Sequence, residues 1–308
     1  MPLPPEFHEI ARRVNNWGRW GDGDELGTLN LITDEVVRGA AAQVRRGRRV
    51  PLALPLRQNG VQTGIIPGRI NPLHTMTQIN QETFGPGNVA FSDDVVTMGL
   101  QAATHWDALA HASHSGTLYN GRPAASVTVH EGAAHGGIDR VPYLVSRGVL
   151  LDVARAKGLD RLPADHAVTP EDLDEAAEFG RLSPVAGDVV LVRTGQMRSW
   201  LDGDRDGYGF PAPGLSIRTP EWFHARDIAA VATDTLPFEI VPPEIEGLWL
   251  PVHGLHLVEM GMLQGQNWNL EGLSAVCAEE GRHSFLLCAA PEPFAGATGS
   301  PVAPVAVL

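Results

Sequence analysis

Gln101-Ala102-Ala103-Thr104-His105-Trp106-Asp107-Ala108-Leu109-Ala110-His111-Ala112-Ser113-His114-Ser115-Gly116 is the stretch on which the reading of this chain turns. His105, Asp107 and His111 stand there at spacings of two and four, with His114 close behind. In extended backbone, residues i and i+2 share a face, so His105 and Asp107 can grip one ion from a strand. If the chain turns helical beyond them, Asp107 and His111 become i, i+4 neighbours on the same side. Neutral imidazole with carboxylate suits zinc, manganese or iron(II). A plain His–Asp hydrogen-bonded pair in an Ala-rich segment fits the same spacing, and the spacing alone leaves both readings open.

Upstream of the motif, 5–14 reads as a short helix with Pro at its start and apolar positions at Phe7, Ile10, Ala11 and Val14. The Trp-, Gly- and Asp-rich segment from Asn16 to Asn30 lacks the third glycine of a dinucleotide loop, because Leu26 stands there. Thr33 caps a predicted helix that runs to Gly47, acidic at its start and basic at its end. A strand is predicted over 50–56. Residues 58–87 form a long polar stretch bearing Gly and Pro, which reads as a lid or a subunit-contact arm. A strand over 95–103 then leads into the motif.

Downstream, Val127-Thr-Val-His130 reads as a short strand, and the rhythm then becomes regular. Buried strands are predicted over 149–153, 188–193, 228–233 and 284–289, with helices over 169–179, 220–226 and 270–280. Such alternation argues for α/β layering. Asp234 ends one of these strands, where ligand crevices of open α/β sheets lie, and is a candidate pocket residue. His130-Glu131-Gly-Ala-Ala-His135 is not a zincin motif: its histidines are five apart and point ~140° from each other on a helix. Asp202-Gly-Asp204-Arg-Asp206-Gly207 opens like a calcium loop but has Pro213 where the bidentate Glu belongs, so it reads as a solvated turn.

At 308 residues, 43% hydrophobic and 19% charged, the chain reads as a globular protein with a substantial core. We treat 1–308 as one domain, with 1–32 as an N-terminal arm and loop. Lys+Arg 23 against Asp+Glu 36 gives a net charge of -13, which argues against a nucleic-acid partner. The 34 Gly and 24 Pro imply many turns between short elements. Cys277 and Cys288 make no disulfide framework or Cys-x-x-Cys motif, and both lie in apolar patterns typical of inert thiols. There is no Gly-x-Ser-x-Gly elbow for a serine hydrolase. The N-terminus lacks a basic region and apolar run, and no apolar stretch approaches the ~18 residues of a membrane span, so the expected compartment is cytoplasmic.

The central stretch resembles the signature of the cyclase family, the group that contains bacterial kynurenine formamidases and isatin hydrolases. Its usual pattern is His-x-Gly-Thr-His-x-Asp-x-Pro-x-His, and Thr104, His105, Asp107 and His111 match it in register. Trp106 to His111 followed by Tyr119-Asn120-Gly121 is similar to the larger-subunit branch. The likeness extends from Trp17-Gly18-Arg19-Trp20-Gly21 and Gly27-Thr28-Leu29-Asn30 to the Gly-Ser-Pro-Val of 299–302. It implies a swivelling β/β/α fold, a homodimer or homotetramer, and a divalent ion, zinc or manganese, held by His105, Asp107, His111 and a histidine at the position of His253. His256 competes with His253 for that place. Three positions depart from the signature: Gln101 stands for its first histidine, Ala103 for the glycine and Leu109 for the proline. Gln266 stands where the family has a glutamate. A glutamine carbonyl is a weak donor to zinc, so these changes argue against a two-metal arrangement and leave Gln101 and Gln266 as metal or pocket residues.

The implied activity is hydrolysis of a small amide, N-formyl, lactam or lactone substrate. The ion would activate water and polarise the carbonyl, with His111 as general base or acid. Trp106, Trp17, Trp20 and Asn30 are expected near the substrate. A metal-free binding pocket, or a lyase or dehydratase using His111 on the same fold, is the alternative.

Overall fold

Pro5 presets the backbone of a first turn, and the apolar positions at Phe7, Ile10, Ala11 and Val14 recur with helical spacing. Helix α1 (Pro5–Val14) follows, and those four residues are its buried face. Residues 3–308 are described by the computed structural model; the first two residues of the expected N-terminal arm lie outside them. Helix α2 (Asp34–Ala41) is capped as expected, Thr33 Oγ1 accepting from Val36 N at 3.3 Å. It stops short of Gly47 because the chain turns to meet the last strand, Arg46 and Arg48 N–H both donating to Leu308 O at 3.2 Å. Strand β1 is only Arg49–Pro51, since Pro51 and Pro55 have no N–H to continue a ladder.

The long stretch after it is not loop throughout. Strands β2 (Leu73–Met76) and β3 (Asp94–Thr97) pair as an antiparallel hairpin with every residue of both exposed. The strand expected over 95–103 therefore belongs to this arm and ends at Thr97. A turn follows, and β4 is the three-residue strand His105–Asp107.

The regular second half forms largely where its apolar runs place it. The elements are β5 (Val145–Asp152), α3 (Pro170–Phe179), β6 (Val189–Arg193), α4 (Thr219–Ala225) and β7 (Ala230–Thr233). Then come β8 (Leu263–Gln266), α5 (Glu271–Glu280), β9 (Ser284–Cys288), β10 (Gly299–Pro301) and β11 (Val305–Val307). Helix α3 carries a full capping box, in which Thr169 and Asp172 each accept from the other's backbone N–H.

One nine-stranded sheet organises these elements in the order β1-β11-β9-β5-β6-β7-β8-β4-β10. Strands β5 to β8 run parallel, and the strands on both flanks are antiparallel. The fold is thus mixed α/β, as the alternation implies. The parallel strands are buried on both faces, which is why they read as continuous apolar runs. Leu150, Leu191, Ala232 and Leu263 enter one core with Trp106, Trp268 and Phe285. Their neighbours Val149, Val190, Val192 and Val231 enter the other, with Phe7, Leu173 and Phe223 from α1, α3 and α4. Burying one such side chain contributes roughly 1.5–3 kcal/mol. Leu191→Ala, at a fully buried position, would cost roughly 2–5 kcal/mol. No helix among the described residues is long and apolar enough to cross a membrane.

Candidate active site

Strand β4 lies between two antiparallel partners, and their register fixes the site. His105 stands opposite Gln266 of β8 and Pro301 of β10, and Asp107 opposite Gln264 and Gly299. Alternation puts His105 and Asp107 on one face and Trp106 on the other. Both site residues are 0% exposed. His105 Nδ1 lies 2.7 Å from Ala103 O, so the proton sits on Nδ1 and the Nε2 lone pair is free. His105 Nε2 stands 3.5 Å from Asp107 Oδ1, and neither atom has a hydrogen-bond partner.

His111 reaches the same carboxylate from a 3-10 turn (Leu109–His111) rather than an α-helix. Its Nε2 is 3.7 Å from Asp107 Oδ1, and Gln101 Nε2 lies 3.5 Å from its Nδ1. Gln101 therefore touches His111 rather than Asp107. Burial pushes the Asp107 pKa up, but His111, His105 and His253 together outweigh it and hold the carboxyl far below the usual range. Burial, the larger influence on His111, lowers its pKa despite the attraction of Asp107.

His253 closes the site from a short helical stretch, Pro251–His253, that continues as a π-helical segment, Gly254–Met260. Glu239 fixes it. Glu239 Oε2 accepts from Val252 N at 2.8 Å, and Oε1 accepts from His253 N at 3.0 Å and lies 2.5 Å from His253 Nδ1. The carboxylate thus satisfies free N–H groups at a helix start and orients the imidazole at the same time. His253 Nε2 then lies 3.2 Å from the Gln266 amide nitrogen, which also donates to Asp107 Oδ2 at 2.6 Å. Gln266 thereby bridges Asp107 and His253.

His256, the competitor of His253, points elsewhere. It packs edge-on against Phe223 and Phe238 at 5.5 and 5.6 Å, with both ring nitrogens buried and unpartnered. Burial pushes its pKa down to about 3. His114, close behind the motif in sequence, does not face Asp107 but lines the same cavity as His111 and His253: it meets Phe7 edge-on at 5.1 Å and its Nε2 lies 2.9 Å from Glu259 Oε1.

His111 and His253 line a cavity of about 370 Å³ with Phe7, Leu248, Trp249 and Pro251 on its walls. Trp249 is 61% exposed there, and the adjacent Leu250 holds a φ of 54°, a strained value for a residue with a Cβ.

The other expected pocket residues lie outside this cavity. Trp106 is core: it packs on Trp268 at 4.9 Å and donates to Ala289 O at 2.9 Å. Asn30 donates to Asp24 Oδ1 at 2.7 Å and to Gly27 O, closing its own loop. Trp20 lies under the Arg19 guanidinium at 4.7 Å, and Trp17 donates to Val258 O at 2.7 Å. Asp234 is buried and accepts from Thr194 N, Thr194 Oγ1 and Gly195 N, so it shapes the turn after β6. Its pKa is raised to about 6 by burial, against the pull of Arg193 and those donors. The 202–207 segment is a turn, Asp204 Oδ1 accepting from Gly207 N at 2.8 Å. Sequence reasoning missed Glu239, and no spacing rule ties a loop carboxylate to a histidine 14 residues on.

Among the described residues, no group of three or more His, Cys, Asp or Glu side chains is already placed to hold a metal ion. The donor set nevertheless fits a divalent cation. A buried carboxylate oxygen and a buried imidazole nitrogen face each other without partners, and His111 Nε2 stands on the same oxygen. Unpartnered buried polar atoms are costly unless a ligand completes them.

The family model described as "Putative cyclase" matches residues 50–240. A crystal structure of a novel cyclase is 37% identical, with 96% of this chain and 100% of that chain covered and a TM-score of 0.88. Isatin hydrolase A from Labrenzia aggregata is 21% identical over 89% of this chain and 97% of its own, at a TM-score of 0.60. A potential metal-dependent hydrolase with cyclase activity is 17% identical over 84% and 98%, at 0.54. No curated protein sequence matches the chain.

Proposed function

This chain belongs to the cyclase family, and from that premise we propose that it is a metal-dependent hydrolase acting on a small amide, N-formyl, lactam or lactone substrate. The observation that carries the reading is the buried, unpartnered pair His105 Nε2 and Asp107 Oδ1, with His111 beside it and lining a cavity. His105 and Asp107 would hold a divalent ion, zinc or manganese, with His111 left unligated beside them. When bound, the ion supplies Lewis-acid polarisation of the scissile carbonyl and a lowered pKa for water. Solved structures of the same fold carry isatin hydrolase and metal-dependent hydrolase as their names, which supports this chemistry.

The chain's own residues do the rest. His111 lines the cavity, and burial, which lowers its pKa, favours the neutral imidazole that a general base needs. Gln266 holds Asp107 and His253 in register through its two amide hydrogens. Glu239 fixes the tautomer of His253, so that its Nε2 faces Gln266. Phe7, Leu248, Trp249 and Pro251 form an apolar wall, facing His111, His114 and His253, that suits an aromatic or compact cyclic substrate.

The test is metal content per subunit of protein purified without added metal, compared with Asp107→Ala, together with hydrolysis of a panel that includes isatin, N-formyl amides and lactones. About one zinc or manganese, lost in the variant, with hydrolysis of at least one panel member is the expected result. No metal even after supplementation would overturn the hydrolase reading and favour a metal-free pocket.

A further inference from the structure

Trp249 lines the cavity that His111 and His253 share, and yet it is 61% exposed. The chain on either side of it is pinned. Leu248 is buried in one core with Phe7 and Val252, and its N–H donates to Ile245 O at 3.0 Å. Farther on, Val252 N–H donates to Glu239 Oε2 at 2.8 Å. Between those anchors neither Trp249 nor Leu250 donates its backbone N–H to any described residue, and Pro251 has none to give. One large aromatic side chain thus rides on a short stretch of backbone that donates no hydrogen bond.

Leu250 carries the strain of that stretch. Its φ of 54° and ψ of 46° are left-handed. Three local rules favour extended backbone there instead: the residue has a Cβ, it precedes a proline, and it caps the short helix that begins at Pro251. The Cβ alone disfavours the left-handed form by roughly 5- to 30-fold. Strained backbone of this kind clusters at ligand clamps and switch segments. A few such residues, by changing φ and ψ, absorb the motion of a closing loop. Returning Leu250 to extended backbone re-aims Trp249, and the concave surface beside that indole is the cavity.

We propose that Trp249 is the specificity-determining residue of this cavity: it closes through a torsion at Leu250 and lays its indole on a flat aromatic ring that the substrate carries beside its carbonyl. The identification of that molecule as a substrate rests on the hydrolase reading; the closure and the preference for a flat ring do not. Ring stacking favours an aromatic ligand over a saturated one of similar size by roughly 2- to 12-fold. Because the closed form relieves Leu250, ligand affinity follows the balance between the two backbone forms.

Isothermal titration with acetophenone, and with its saturated counterpart cyclohexyl methyl ketone, tests the inference with two carbonyl compounds that have no bond to hydrolyse. Wild type should prefer acetophenone, Trp249→Leu should erase that preference, and Trp249→Phe should keep it. Leu250→Gly removes the penalty on the left-handed form and should weaken acetophenone by roughly 5- to 30-fold. Leu250→Pro forbids that form, loses no hydrogen bond and should tighten acetophenone instead. Far-UV circular dichroism checks each variant, and Leu250→Gly against wild type carries the hinge test if Leu250→Pro fails to fold. No preference in wild type, a preference that survives in Trp249→Leu, or an unchanged affinity in Leu250→Gly overturns the inference. Any of these in protein that holds metal and hydrolyses an amide or lactone leaves the hydrolase reading intact. A Trp249-dependent preference in protein that holds no metal supports the inference and counts against the hydrolase.

Discussion

His256→Leu should make the protein less sensitive to acid. The imidazole is 0% exposed, wedged edge-on between Phe223 and Phe238, and neither ring nitrogen has a partner. Burial, with a smaller push from His253, lowers its pKa from 6.5 to about 3 in the folded chain. Between those values the unfolded chain binds a proton that the folded chain refuses. Stability is therefore fully present above ~pH 6.5 and is lost as pH falls, by about 1.4 kcal/mol for each unit. From ~pH 7.5 to ~pH 5 the loss from this residue is about 2 kcal/mol. Leucine is close in volume, suits the apolar surroundings and carries no proton, so the variant should lose about 2 kcal/mol less over that interval. At ~pH 7.5 it should be at least as stable as wild type, since two unpartnered polar atoms are gone. Urea unfolding followed by circular dichroism at a series of pH values measures the difference. His224 and His283, also lowered mainly by burial, titrate in both proteins and cancel in the comparison. Parallel stability–pH curves for the two proteins would refute the reasoning, because they would mean that His256 is solvated or paired in the folded state.

Glu239→Gln keeps the shape of the side chain but removes the charge that orients His253. We expect a roughly 10- to 100-fold fall in metal affinity or in kcat on the best amide substrate, and unchanged values would show that His253 needs no such support. Gly261→Ala should destabilise by more than ~2 kcal/mol in thermal unfolding: the residue has a φ of 65°, and an added Cβ would fall 2.5 Å from the Tyr119 ring. Gly272→Ala in α5 is its control. An added Cβ there meets only Val50 Cγ1 at 3.6 Å, so it should be neutral or stabilise by about 0.5–1 kcal/mol, and an equal loss in both would remove the steric argument.

Local signals specify structure wherever local physics decides. Pro5 with its apolar stripe, Thr169-Pro170 with Asp172, and the valine-rich runs at 149–153 and 188–193 each specify their own element, and the structure holds them there. The face shared by His105 and Asp107 was legible for the same reason. What pairs with that face was not, because β8 lies far along the chain and a Leu-Gln-Gly-Gln run has no strand pattern of its own. Glu239 escaped notice because its role depends on a helix start that only the folded chain brings beside it. Trp106 misled because an aromatic inside a motif suggests a substrate wall, whereas strand alternation sends it to the opposite side from its neighbours. The predicted 50–56 and 95–103 strands overran for different reasons, the prolines of the first and the hairpin that claims the second.

The position of β4 has a consequence for when the candidate site assembles during synthesis. Its two neighbours in the sheet, β8 and β10, are both made late, and the Gln266–Asp107 bond spans 159 residues. The histidines and the carboxylate of the motif are thus among the earlier residues to leave the ribosome, yet β4 has no sheet partner until residues 263–266 have followed, and its second partner comes only with 299–301. Closing so long a loop is slow relative to local structure formation. The chain emerges with these side chains exposed and unassembled, and the candidate site is complete only once β8 and β10 have flanked β4.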